Sequence, residues 1–164
     1  MNALFALNSF AEDIYKLGSG DQMRITIYGE KDLSGEYEVD GTGSVALPLI
    51  GEVNVDGLSL REAEKAITEA YKGDYLLNPR VNAEVMNFRP FFILGEVNEP
   101  GNYPYISGMN VLNAVAVAKG YTYRANKNRI VRRRLVDGKE VEEEVKELDK
   151  VFPGDVLHVH ERFF

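Results

Sequence analysis

Residues 23–28 alternate strictly, with Met23, Ile25 and Ile27 on one side and Arg24, Thr26 and Tyr28 on the other. A period of two predicts a half-buried strand, and Gly20-Asp21 just before it marks a turn. Residues 33–39 read as a loop entering a second strand. Asp40-Gly41 and Gly43 then predict a hairpin turn into the strand Ser44–Leu47, which Pro48 confines to an edge, a bulge or a strand end. Val53 and Val55 alternate again. The period then changes: Leu60, Ala63, Ala66, Ile67, Ala70 and Tyr71 recur at helical spacing. Ser59 with Glu62 three residues on forms a capping-box signature, and Gly73 fits the far end. Val81, Ala83 and Val85 alternate on one face and predict a closing strand over residues 80–86.

Arg89-Pro90 marks a boundary, after which the order repeats in kind. Residues 91–97 predict a strand, Glu99–Asn102 a turn, and residues 103–106 a short strand that Pro104 holds at an edge. Val111, Leu112, Ala114, Val115 and Ala118 predict a helix ended by Gly120. Residues 121–127 read as irregular and basic. Residues 129–136 and 139–145 form a hairpin about Asp137-Gly138, and a last strand covers residues 156–159 after the turn Phe152-Pro-Gly-Asp155. Strands with one helix, twice over, make an α+β chain. The second unit, strand-turn-strand-helix-hairpin-strand, matches a β-grasp arrangement, a mixed sheet curling around one helix. Gly-Glu-Val at 51–53 and 95–97 is a faint echo between the units. The division expected is an arm at 1–13, one domain at 14–88 and a second at 89–164.

Composition narrows the functions. At 45% hydrophobic, the 164 residues can build two modest cores. A net charge of −7 argues against sequence-independent nucleic-acid binding and against attachment to anionic lipid through basic residues. With no cysteine there is no disulfide, thiolate metal site or lipid-bearing N-terminal Cys. No stretch approaches the ~20 apolar residues of a membrane helix. Residues 1–11 are small and apolar, and Ser9-Phe10-Ala11 fits a signal-peptidase site without a basic region ahead of it. They are expected to be the tail of a secretory signal, a frayed arm being the alternative.

The words Tyr15-Lys-Leu-Gly-Ser-Gly-Asp21, Leu33-Ser34, Val39-Asp-Gly41, Leu47-Pro-Leu-Ile-Gly51 and Leu58-Ser-Leu-Arg-Glu62 come in a specific order and spacing. Together they resemble the polysaccharide export domain of bacterial outer-membrane export proteins. Gly95-Glu-Val97, Pro100-Gly101, Val111-Leu112, Ala118-Lys-Gly120 and Pro153-Gly-Asp155 resemble the soluble-ligand-binding β-grasp (SLBB) domain that follows it in such proteins. The resemblance implies a small β-rich export domain with one helix, then a β-grasp domain with one helix. It also implies a periplasmic, outer-membrane-associated, ring-forming homo-oligomer that guides capsule or exopolysaccharide outward, coupled to an inner-membrane chain-length regulator and polymerase. Larger members carry a lipidated N-terminal Cys, extra β-grasp domains and a C-terminal pore helix. This chain has no Cys and ends Val159-His-Glu-Arg-Phe-Phe164, which is similar to the short, single-β-grasp members. The rival expectations are a monomeric periplasmic glycan-binding module and a scaffold that docks the inner-membrane machinery.

Bond chemistry finds no carrier in the sequence. The glycines make no phosphate-binding fingerprint and are read as turns and caps. His158 and His160 alternate onto one face of the last strand without an evident third ligand, so no metal is expected, and no cofactor. The acid pairs Glu12 with Asp13 and Glu30 with Asp32 lie in turns without an aromatic platform, so no enzyme is expected. The candidate contacts are for ligand. Arg132 and Arg134 stand in the one basic cluster, across the turn from Glu140, Glu142, Glu143 and Glu144. Cross-strand pairing with those glutamates is the plainer reading. Contact with acidic sugars or a neighbouring subunit is the other, since the guanidinium fork suits uronate or pyruvate carboxylates. Tyr103, Tyr121 and Tyr123 cluster in the second unit and are candidates for stacking on sugar rings, with core packing as the alternative.

Overall fold

Strand β1 (Gln22–Ile27) buries Met23, Ile25 and Ile27 on one face, as its alternation predicts. The computed structural model describes residues 15–136 and 138–163. The secretory-signal reading of residues 1–11, the acids Glu12 and Asp13, and the Asp137 position of the predicted turn lie outside the described residues. Strands β2 (Gly35–Glu38), β3 (Ser44–Leu47) and β4 (Gly51–Asn54), helix α1 (Leu60–Tyr71) and strand β5 (Val81–Asn87) follow in chain order. β2 and β5 flank β1 antiparallel, while β3 and β4 form a separate two-stranded pair. The turn at Asp40–Gly43 therefore does not close a hairpin, as the sequence led one to expect. It hands the chain from one sheet to the other. Its left-handed residue is Gly43 (φ +81), not Gly41, and a Cβ there would lie 2.4 Å from the Cβ of Asp56. The Thr42 hydroxyl and the amides of Ser44 and Thr42 hydrogen-bond the Asp40 carboxylate and hold its pKa below the usual range.

Helix α1 starts where the capping box places it. Ser59 Oγ accepts from Glu62 N at 3.3 Å and Glu62 Oε2 accepts from Ser59 N at 2.8 Å, satisfying two otherwise orphaned amides. Ala63, Ile67 and Tyr71, four residues apart in turn, are its buried stripe. The Tyr71 hydroxyl donates to Pro48 O at 2.7 Å and so ties the helix end to the end of β3. β5 is an edge strand, and the Ala83 N–H is met by Glu64 Oε1 of the helix at 2.8 Å, so the helix covers part of that edge. These elements enclose one apolar core.

A second core gathers around helix α2 (Val111–Val117). Strands β6 (Phe91–Gly95), β7 (Gly101–Tyr103), β8 (Ala125–Val136), β9 (Lys139–Val145) and β10 (Val156–Glu161) form a mixed sheet in the order β7-β6-β10-β8-β9. β6 and β10 run parallel in it and the other neighbours antiparallel. Val111, Ala114 and Val115 of α2 are buried in the core that lines the sheet. With two helices and ten strands among the described residues, the chain is α+β and β-rich, as its patterning predicts. Several boundaries differ, two of them by more than two residues or across a proline. β8 begins at Ala125, inside the stretch read as irregular, because polar Asn126, Lys127 and Asn128 conceal the start of a strand in which the buried residue is Ala125 and the next buried one is Ile130. β7 stops before Pro104, which keeps the edge position foreseen for it.

The Gly-Glu-Val echo has no structural counterpart, since Gly51 opens β4 and Gly95 closes β6. Both have positive φ, +74 and +85. A Cβ on Gly51 would meet nothing within 4 Å, whereas one on Gly95 would lie 2.2 Å from Val159 O. Gly51→Ala is therefore expected to cost only the left-handed backbone term, about 1 kcal/mol. Gly95→Ala must also part β6 from β10 and is expected to cost about 3 kcal/mol or more. Urea unfolding of the two variants checks the ranking, and equal midpoints contradict it.

Candidate functional site

Two fully buried carboxylates organise the chain. Asp21 sits in the turn before β1, where its Oδ2 accepts from Gly18 N at 3.0 Å and from the Tyr15 hydroxyl. The linker between β5 and β6 completes the shell: Arg89 N reaches Oδ1 at 3.1 Å and Arg89 Nη1 reaches Oδ2 at 3.0 Å. Nη1 also donates to Tyr15 Oη at 3.0 Å. Burial, and then the bond to Asp21, push the Tyr15 phenol well above the usual tyrosine range, so it stays protonated and donates. The Arg89 side chain runs where no Cβ can stand. A Cβ on Gly18 would lie 2.5 Å from Nη1, and one on Gly154 would lie 2.7 Å from Nε. Arg89 thus fills a slot between a glycine from each core, and Gly154 N donates to Pro90 O at 2.9 Å beside it.

Asp155 repeats the device in the second unit. It accepts from Phe152 N, three residues back, at 2.8 Å, as Asp21 accepts from Gly18. Arg134 grips it with Nε and Nη2, each at 2.8 Å, in the bidentate geometry a carboxylate favours. The same guanidinium lies over the Phe152 ring, 4.6 Å from its centroid.

The residues singled out in the sequence do not converge on one point. Arg134 is committed to Asp155, which lies in the turn before β10 and not on the facing strand. Arg132 is buried, donating to Lys150 O at 2.6 Å and to Glu143 directly across on β9. Its Nε has no hydrogen-bond partner among the described residues. Tyr103, on edge strand β7, packs its ring 6.1 Å from Phe91, and its hydroxyl donates to Glu99 O. Three strand spacings, about 14 Å, separate β7 from β8. The Tyr121 hydroxyl donates to Glu147 Oε1 at 2.9 Å, and burial together with that bond pushes its pKa up. Tyr123 is 80% exposed.

The rings of His158 and His160 lie 4.4 Å apart, and burial beside His158 and Arg129 lowers the His160 pKa. Among the described residues no group of three or more His, Cys, Asp or Glu side chains is placed to hold a metal. Glu30 and Asp32 are exposed. No helix among the described residues is long and apolar enough to cross a membrane.

The sequence reading missed a cavity of about 250 Å³ where the two cores meet. Its wall is Tyr15, Phe88, Tyr105, Ser107, Gly108, Met109, Lys150, Val151 and Phe152. Phe88 stands edge-on to both neighbours, 5.1 Å from Tyr15 and 5.2 Å from Tyr105 between centroids. Nothing local in the sequence brings these rings together. The Gly-Asp steps at 20–21 and 154–155 read as turns and gave no sign of it.

The description "Polysaccharide biosynthesis/export protein" matches residues 11–86, and an SLBB domain matches residues 90–142. The exopolysaccharide production protein ExoF of Rhizobium meliloti (strain 1021) is 31% identical over 132 residues, covering 73% of this chain and 31% of ExoF. A polysialic acid transport protein, KpsD of Escherichia coli, is 30% identical over 108 residues, covering 65% of this chain and 19% of KpsD. The chain thus spans less than a third of the length of these relatives.

Removing the Arg89 side chain leaves Asp21 buried without its cation. Arg89→Ala is expected to destabilise the fold by ~3 kcal/mol. Arg124→Ala, which breaks a half-exposed pair with Glu161, is expected to cost under ~1 kcal/mol. Thermal unfolding of the two variants side by side checks the difference.

Proposed function

Because the chain belongs to the polysaccharide biosynthesis/export family, we propose that it serves as a passive periplasmic part of a capsule or exopolysaccharide export apparatus. An export domain at 14–88 and an SLBB domain at 89–164 make up each subunit. Subunits pack side by side into a closed ring at the outer membrane, which takes polymer from an inner-membrane polymerase and its chain-length regulator. The observation that carries this reading is the consecutive match to both families, in that order, over residues 11–86 and 90–142. The relatives' names point the same way, to exopolysaccharide production and polysialic acid transport.

The chemistry of the chain agrees with a conduit that makes and breaks no bonds. The two buried carboxylates among the described residues are both spent on arginines, so neither is free to act as acid or base. A net charge of −7 keeps acidic glycans from adhering along the surface. Exposed Leu49, Leu77 and Leu135 offer apolar area for a heterologous contact between copies, the kind that closes a ring. Exposed Tyr123 is free to stack on a passing sugar, while Arg132 and Arg134 act from behind, holding the sheet and the Asp155 turn in shape.

Deleting the gene is expected to abolish surface polymer, and a strain with unchanged polymer overturns the export role. Native mass spectrometry and cross-linking at high concentration, with and without the inner-membrane partners, are expected to show a closed oligomer. A strictly monomeric chain under all those conditions overturns the ring.

A further inference from the structure

We infer that the cavity between the two cores is a subsite for a single carboxylated pyranose, such as a uronic acid unit. This rests on the export reading and names a ligand contact that the reading does not contain. A volume of about 250 Å³ falls just under the ~300–1,000 Å³ of ordinary small-molecule clefts, and suits one sugar ring rather than an oligosaccharide.

The wall has the two parts a sugar needs. Tyr15, Phe88, Tyr105 and Phe152 give it aromatic surface for the C–H faces of a pyranose. These rings are fixed from behind. The phenol of Tyr15 is tied to Asp21 and Arg89, Phe152 is capped by Arg134, and Phe88 is wedged edge-on between the two tyrosines. A platform held in this way loses little freedom when a ligand settles on it. The polar part is Lys150 and Ser107. Both residues line the cavity and are exposed, and neither the Lys150 ammonium nor the Ser107 hydroxyl has a protein partner among the described residues, so both groups are available to a ligand. An aliphatic ligand would leave both groups unused. A neutral sugar would use the hydroxyl, and a sugar acid uses both, its carboxylate meeting the ammonium in a charge-assisted bond. The Lys150 backbone is anchored by Arg132 Nη1 on its carbonyl at 2.6 Å, which sets where the side chain leaves the turn.

Amide NMR titration tests the assignment with two probes, methyl β-D-glucuronide and methyl β-D-glucoside. The glucuronide is expected to shift the amide signals of Ser107, Gly108 and Val151 with a dissociation constant on the order of 1 mM. The glucoside is expected to bind at least about fivefold more weakly, and Lys150→Gln to bring the glucuronide down to the glucoside's level. Lys150 is exposed, so that variant keeps the fold. Tyr105→Ala is expected to abolish both responses, its fold checked by an unchanged unfolding transition. Equal affinity for the two glycosides, shifts confined to other surfaces, or glucuronide binding unmoved by Lys150→Gln each overturn the proposal. The deletion-strain assay reads the export role without reference to the cavity. A negative titration beside lost surface polymer therefore rejects the subsite alone.

Discussion

The charge on Asp21 is the constraint from which the arrangement of the two cores follows. A carboxylate with no exposed surface is tolerable only if donors and a cation replace its water. Here the donors come from two stretches of chain: Tyr15 and Gly18 from the first unit, the backbone and guanidinium of Arg89 from the linker. Only Phe88, Arg89 and Pro90 connect β5 to β6. Because Arg89 supplies both an amide and its side chain to the same carboxylate, the linker has one conformation that satisfies Asp21. Its guanidinium in turn needs the bare backbone of Gly154 on the far side. The short connection is thus tied to the first unit through Asp21 and to the second through the bond from Gly154 N to Pro90 O, and the aromatic cavity lies beside it.

How legible this was depends on how local each signal is. The capping box of α1 involves residues three apart, and its helix forms where Ser59 and Glu62 place it. The Arg132–Glu143 pair follows from strand register about a two-residue turn, and the facing strand does hold the partner. Arg132 is buried with Ile130, whose face of β8 it shares. The roles of Asp21 and Asp155 were not legible. A Gly-Asp step reads as a solvated turn, and what buries these two lies 68 and 21 residues away. Arg134 shows the same limit: its hairpin neighbours are the obvious acids, yet a buried carboxylate outcompetes exposed ones because it has no water to fall back on. The turn at Asp40 failed for a related reason, as pairing is decided by which sheet each strand can complete and not by the turn between them.

On the proposed export role, the electrostatic layout would bear on contact with polymer. One exposed ammonium lining a cavity, set in a chain of net charge −7, would give local attraction without general adhesion. An affinity on the order of 1 mM with association at 10⁵–10⁷ M⁻¹s⁻¹ implies a residence of roughly 0.1–10 ms for each sugar unit. Tightening the site a thousandfold would lengthen that to about 0.1–10 s per unit, long enough for one subsite to arrest a moving chain. Repetition of the subsite around a ring would then matter more than its strength. Several weak contacts keep a polymer near the wall while any one of them lets go. A catalytic pocket is under the opposite demand, to hold its target until chemistry is done. An aromatic wall with a single exposed lysine would meet the first demand if the proposed subsite holds, with Tyr15 fixed from behind by Asp21 and Arg89.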